Sequence, residues 1–425
     1  MFYAGILIIV LVAVAIVKRI EVRLVLFSAG LLMCLFAGDP LRAIDAFTSG
    51  MVHGTLVPYI CTVMGFAYVL KITECDAHLV HLLTKPMTKF NKGLIPATVI
   101  VTFLVNTALT SAAGVAAAVG AILIPILIAV GVKPAMAAAA VMAGTFGSDL
   151  NPGYAHIVVV AGIADVGVMD VVAAIAPRVI ICALIGAVSL TIIAFAGKEY
   201  KGHVPDALKI TEDSLAGDGL SDFKVNPLKA IVPIVPLVLL ILGSSMVGLS
   251  PKEITVPQAM FAGIFLAGLV ALKNPQEVSK AFFSGIGSAY GDVIGIIVAA
   301  GVFTTGMEMI GLTEALISAM ERSEAVLKVA SSFGPMLIAF LCGSGDAATM
   351  AFNNTITPNA AQFGLDTISL GNTALVAGSL GRTMSPVAGA AIICASLAKV
   401  NPLEITKRNA IGMLIAVAFV MFTLR

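Results

Sequence analysis

Apolar runs of 14 to 25 residues recur along almost the whole chain, separated by short polar patches. That spacing predicts a multi-spanning helical membrane protein, because a helix needs roughly 20 apolar residues to cross a bilayer. Strands of a membrane barrel would instead alternate over ~10-residue segments. In the first half the pattern predicts helices over 2–17, 22–38 and 50–72, then an amphipathic connector, DAHLVHLLTKPMTKF at 76–90. Two apolar arms follow, 95–109 and 114–130, meeting at the small polar tip TSAAG (110–114). The tip has neither charge nor aromatic anchor, which favours a re-entrant hairpin over two full crossings. A helix interrupted at GSDLNPG (147–153) and a last helix over 171–196 complete the half.

The same order of elements returns at an offset of 234 to 235 residues. GTFGSDLNP (144–152) overlies GSLGRTMSP (378–386), sharing Gly144/Gly378, Gly147/Gly381 and Pro152/Pro386. AFTSG at 46 matches AFFSG at 281, and VGVMDV at 166 matches VNPLEI at 400. The chain therefore reads as two membrane repeats, 1–197 and 230–425, joined by a polar linker, 198–229. The expected fold class is all-α and integral to the membrane, each repeat having five crossings, one of them broken, plus a re-entrant hairpin. An odd number of crossings inserts the second repeat upside down, the inverted-repeat arrangement of many secondary carriers.

Charge tests that parity. With the N-terminus outside, most of the 25 Lys and Arg, including Lys18, Arg19, Lys71, Lys85, Lys133, Lys273 and Arg408, fall on the cytoplasmic side. Both termini are then expected to be periplasmic and the linker cytoplasmic. The basic residues of MFYAGILIIVLVAVAIVKR follow its apolar run, so it reads as a retained first helix. A net charge of +1 gives no basis for nucleic-acid binding. The six cysteines sit in apolar segments without CxxC spacing, so no metal site, disulfide framework or cofactor is expected.

Glycine- and proline-interrupted helices are tolerated in hydrocarbon only where they are buried in protein or line a cavity. Two such breaks in equivalent places point to a midplane binding site, whose free helix ends suit anions and whose carbonyls suit cations. Gly144, Gly147, Pro152, Gly378, Gly381 and Pro386 are the expected helix breakers. Thr145, Ser148 and Asn151 at the first break and Ser379, Arg382, Thr383 and Ser385 at the second are the candidate substrate ligands. The hairpin tips add Thr110 and Ser111, and Ser344 and Gly345. Asp149 and Asp346 are the candidate ion or proton ligands, Asp346 being the expected partner of Arg382 when no substrate is present. Arginine in a bilayer is costly, and its guanidinium pairs bidentately with a carboxylate, so Arg382 reads as the substrate-carboxylate ligand. His156 reads as a packing residue or one with a structural hydrogen bond. Glycines 50 and 54, and 287, 291 and 295, have the spacing of close helix contacts.

GFAYVLKITECDAHLV (65–80), TSAAGVAAAVGAILIP (110–125) and GSLGRTMSPVAGAAIICA (378–395) resemble the DcuC family of anaerobic C4-dicarboxylate carriers, over essentially the whole chain. The resemblance implies a dimer with a scaffold and a transport domain that moves like an elevator. It also implies exchange, uptake or efflux of fumarate, succinate or malate across the bacterial inner membrane. Sodium-coupled relatives in the wider superfamily have Ser-Asn-Thr at both tips. Here TSAAG and GSGDAAT stand instead, which favours protons or exchange over sodium. A cation/proton antiporter or another organic-anion carrier is the alternative. An intramembrane hydrolase is the remote one, since no GxSxG or HExxH occurs.

Overall fold

The structure, a computed structural model, describes residues 2–18, 20–52, 54, 56–86, 93–200, 223–244, 254–313, 315 and 324–424. Most of the 198–229 linker lies outside the described residues. The first half consists of α1 (Phe2–Val17), α2 (Val22–Phe36), α3 (Leu41–Met51), α4 (Leu56–Thr73), α5 (Cys75–Thr84), α6 (Leu94–Ala108), α7 (Ala112–Ala129), α8 (Pro134–Ala143), α9 (Ala155–Ala164) and α10 (Val168–Ala196). The second consists of α11 (Pro227–Ile231), α12 (Val235–Leu242), α13 (Val256–Ala271), α14 (Pro275–Ala289), α15 (Gly295–Met309), α16 (Glu324–Cys342), α17 (Gly345–Thr355), α18 (Thr367–Thr383), α19 (Gly389–Ala398) and α20 (Pro402–Phe422). No strand occurs among the described residues.

Among the described residues five stretches are long and apolar enough to cross a membrane: Leu56–Thr73, Ala112–Ala129, Val168–Ala196, Pro275–Met309 and Pro402–Phe422. On α10, Val179, Cys182, Ala183, Gly186 and Leu190 are buried, while Ile180, Leu184, Val188, Ile192 and Phe195 form an exposed stripe at helical spacing. An exposed face of that kind is stable only against lipid. This is a multi-pass membrane protein.

The helix expected over 50–72 is interrupted, since α3 ends at Met51 and α4 begins at Leu56. Pro58 then sits in the first turn of α4, where its missing N–H costs nothing. In the second half the counterpart runs from α14 into α15 without a gap, through a π-helical turn over Tyr290–Ile294. Of the glycines expected to mediate close contacts, Gly50 lies against Val298 and Gly295 against Arg23, while the others make no such contact. A Cβ on Gly287 or Gly291 would meet nothing within 4 Å. The tight crossings lie elsewhere: a Cβ on Gly30 would stand 2.5 Å from Val302 O, and one on Gly285 would stand 2.5 Å from Met64 O.

Buried apolar side chains gather into separate clusters. The largest draws on α6–α10 and α16, α18, α19 and α20, with Val80 of α5 at its edge. A second joins α4 to α12, α13 and α14, and a third joins α1 and α2 to α15. Residues of α4 and α15 also meet Val158 and Val159 of α9 and Met350 of α17.

Candidate functional site

The first break starts where Gly144 caps α8 and continues through a 3₁₀ turn, Gly147–Leu150. Asn151 is extended, Pro152 and Gly153 make a turn closed by Tyr154 N–H donating to Asn151 O at 2.9 Å, and Tyr154 leads into α9. The second break is shorter. Helix α18 continues through Gly378 and Gly381 and ends at Thr383, so the interruption covers 384–388 around Pro386.

The expected role of these glycines as helix breakers is therefore corrected for Gly378 and Gly381, which act instead by close approach. A Cβ on Gly144 would stand 2.5 Å from Val99 O, and one on Gly147 would run into Phe103 O. On the other side Gly381 lies against Met336 O and Gly378 against Thr349. The lack of a side chain lets each hairpin arm lie directly on the helix that leads to its break.

The first break touches the last two turns of α18, just before the second. Ser379 Oγ donates to Asp149 Oδ1 at 2.8 Å, and Arg382 Nη2 donates to Thr145 O at 2.8 Å, contacts between residues 230 and 237 positions apart. Asp149 Oδ2 and Arg382 Nη1 are buried without a protein partner. Each break is also braced by its own hairpin. Ser148 N–H donates to Asn106 Oδ1 (3.0 Å), and Asn151 Nδ2 donates to Thr107 O (2.8 Å). In the second half Ser385 Oγ donates to Phe340 O (2.6 Å).

Several expected ligands are thus occupied by the frame. Thr145 Oγ1 and Thr383 Oγ1 each bond a carbonyl of their own helix, at 2.8 Å in both cases. Ser344 shares a 3.4 Å contact with Cys342 Sγ, and Gly345 packs beside Gly378 O. Thr110 and Ser111 remain open to a cavity, although Ser111 Oγ also caps α7 by accepting from Gly114 N–H at 3.1 Å.

Asp346 does not pair with Arg382. Its Oδ1 accepts from Tyr154 OH at 2.8 Å and lies 2.9 Å from His156 Nε2, so the second tip is fastened to the far side of the first break. No carboxylate among the described residues lies within ion-pair distance of Arg382. His156 is a member of the site and not only a packing residue, and Tyr154, overlooked in the sequence, joins it. Their rings lie 4.8 Å apart.

A cavity of about 220 Å³ is lined by Tyr154, His156, Asp346, Thr110, Ser111 and Asp292, with apolar residues of α4 and α15 opposite. A larger one of about 670 Å³ lies beyond the first tip, reaching Lys71 and Asp76, and its wall includes Asn151, Thr110 and Ser111. The first tip separates the two spaces. Among the described residues no group of three or more His, Cys, Asp and Glu could hold a metal ion.

The other intramembrane arginine makes a useful contrast. Arg178 on α10 reaches Ser369 Oγ and Thr423 O at 2.9 Å each, binding α10 to α18 and to the end of α20. It is a structural cation. Arg382 has one bond to a carbonyl and one donor unmet.

A family model described as C4-dicarboxylate anaerobic carrier, DcuC, matches residues 3–425. The chain belongs to the DcuC family. An anaerobic C4-dicarboxylate transporter DcuC of Escherichia coli K12 is 26% identical over 98% of this chain and 94% of its own. A probable anaerobic C4-dicarboxylate transporter DcuC of Vibrio cholerae is 26% identical over 87% and 81%. An uncharacterized transporter of Haemophilus influenzae is 38% identical over 64% of this chain and 98% of its own. These relatives are transporters and not enzymes. This removes the hydrolase reading.

Proposed function

We propose that the chain is a secondary active carrier that moves C4-dicarboxylates such as fumarate, succinate and malate across the bacterial inner membrane. It works by exchange or by proton-coupled symport or efflux. The observation that carries this reading is Arg382: a guanidinium where the end of α18 meets the first break, bonded to Thr145 O and left with Nη1 unpartnered in a buried position. A buried cation with an unmet donor favours an anionic ligand, and a carboxylate is the best geometric match. A cation/proton antiporter has no need of such a group.

The two halves are taken as inverted repeats, 1–197 and 230–425, flanking a cytoplasmic linker, with both termini periplasmic. Contacts at matching positions support this: Asn151 with Thr107 and Ser385 with Phe340, then Gly147 against Phe103 and Gly381 against Met336. An elevator movement is supported by the division of the apolar clusters. Helices α6–α10 and α16–α20 form the moving body, and α1–α5 and α11–α15 form the scaffold of a homodimer. Sodium is the less favoured coupling ion.

Counterflow of labelled succinate in proteoliposomes, with and without a pH or sodium gradient, tests the reading. Trans-stimulated uptake by fumarate or malate is expected. No counterflow with any C4-dicarboxylate would remove it.

A further inference from the structure

The attachment of the second hairpin tip to the first break has consequences beyond substrate binding. Asp346 stands in the first turn of α17, and both its hydrogen-bond partners come from the first half. Both converge on Oδ1. The other oxygen, Oδ2, takes no hydrogen bond among the described residues, and the side chain is 57% exposed, facing the 220 Å³ cavity.

The His156 ring is in the opposite situation. It is 3% exposed, and Nδ1 is buried with no partner. A doubly protonated ring would bury an N–H without an acceptor, which is costly, whereas an unpartnered lone pair is tolerated more easily. Geometry therefore fixes one proton on the ring, at Nε2, donated to Asp346. Tyr154, whose only strong donor is its hydroxyl, supplies the second bond. Two donors on one oxygen favour the carboxylate over the acid, because its charge makes Oδ1 the stronger acceptor.

Other charges face this group. Arg382 and Asp149 act on it from the end of α18 and the first break, and Asp292 shares the cavity from the π-helical turn, itself 3.8 Å from Arg23. A dianion entering beside Arg382 meets three carboxylates and one unmet cation, so removing one negative charge favours entry.

We propose that Asp346 is the proton carrier of transport, with Tyr154 and His156 as the positioning residues that hold its unprotonated form across the two halves. A proton arrives at Oδ2 from the cavity. The O–H bond forms there, the carboxylate charge disappears, and Oδ1 becomes a weaker acceptor for the tyrosine and the histidine. The second tip is then free of the first break, and one proton accompanies each dianion. This rests on the carrier function proposed above, but its test has a readout that does not depend on substrate.

In purified wild-type protein, one component of the infrared carboxylic-acid C=O band that grows on acidification should be absent from Asp346→Asn. Removing a donor makes the carboxylate easier to protonate, so Tyr154→Phe and His156→Leu should move the midpoint of that component to higher pH, by about one unit for each donor lost. In proteoliposomes Asp346→Asn should lose accumulation driven by a pH gradient, and the two other variants should shift the pH profile of uptake in the same direction as the band. A merely structural role would lower the amount of folded protein without moving either midpoint. An Asp346→Asn carrier that still accumulates substrate against a pH gradient, or unshifted band midpoints in both Tyr154→Phe and His156→Leu, overturns the proposal. If the wild type gives no counterflow with C4-dicarboxylates, the substrate reading fails while the infrared outcome still decides this one.

Discussion

Two arginines lie within apolar segments of this chain, and their surroundings assign them different work. Arg178 is satisfied by a serine hydroxyl and carbonyls, whereas Arg382 keeps one donor unmet where α18 meets the first break. Arg382→Lys should therefore preserve the fold but lower uptake at least about tenfold, because a charge-assisted hydrogen bond of ~1.5–3 kcal/mol cannot be made in the same planar geometry by an ammonium. Initial rates of succinate uptake check this, with near-normal rates counting against the assignment. The sequence singled out Arg382 correctly as a residue needing a reason. Its expected partner was wrong, because Asp346 was paired with the break of its own half. Nothing in the linear order tells that the tip crosses instead to Tyr154 and His156.

At the scale of the elements, the shared glycines proved to be contact points more than breaks. Gly147 and Gly381 each lie against a backbone carbonyl of a hairpin arm, leaving no room for a methyl group. Gly147→Ala and Gly381→Ala should each cost about 1–3 kcal/mol by overpacking, more than a flexible side chain could relieve. Gly287→Ala, where a Cβ meets nothing within 4 Å, should be neutral within about 0.5 kcal/mol. Thermal unfolding of the solubilised protein, followed in parallel for the three variants, distinguishes the two kinds of site. Equal loss in all three would remove the packing explanation. The spacing of glycines in sequence gave no such distinction, since Gly287 and Gly291 fit the helix-contact pattern as well as Gly285 does. Which face of α14 meets α4 is settled by packing, and only Gly285 is on it.

For the molecule as a whole, the end of the linker is docked onto α5. Phe223 stacks on His81 at 4.0 Å between ring centroids, and Asn226 N–H donates to His78 Nδ1 at 3.1 Å. These groups lie outside the apolar spans. Burial, and then the nearby Lys229, holds the His78 ring below the ordinary histidine value. The docked state thus prefers the neutral ring, and an undocked ring binds a proton more readily. Docking contributes fully above the ordinary value near 6.5 and weakens as pH falls below it. Amide hydrogen exchange of residues 223–231, corrected for its intrinsic pH dependence, should accelerate between pH 7 and pH 5. A flat corrected profile would show that the ring does not govern the dock.

The sequence by itself determined that this is a helical membrane protein, that two interrupted segments recur at matching places, and that Arg382 and Asp346 are costly enough to need a use. Those features follow from the expense of exposing polar groups and charges to hydrocarbon, which leaves a trace in every apolar run. Only the tertiary structure decided which groups meet: Ser379 with Asp149, Arg382 with Thr145, and Asp346 with Tyr154 and His156. Each of these contacts spans about half the chain, and pairing over that distance depends on how helices cross and where glycine lets them approach, which hydropathy and spacing do not record.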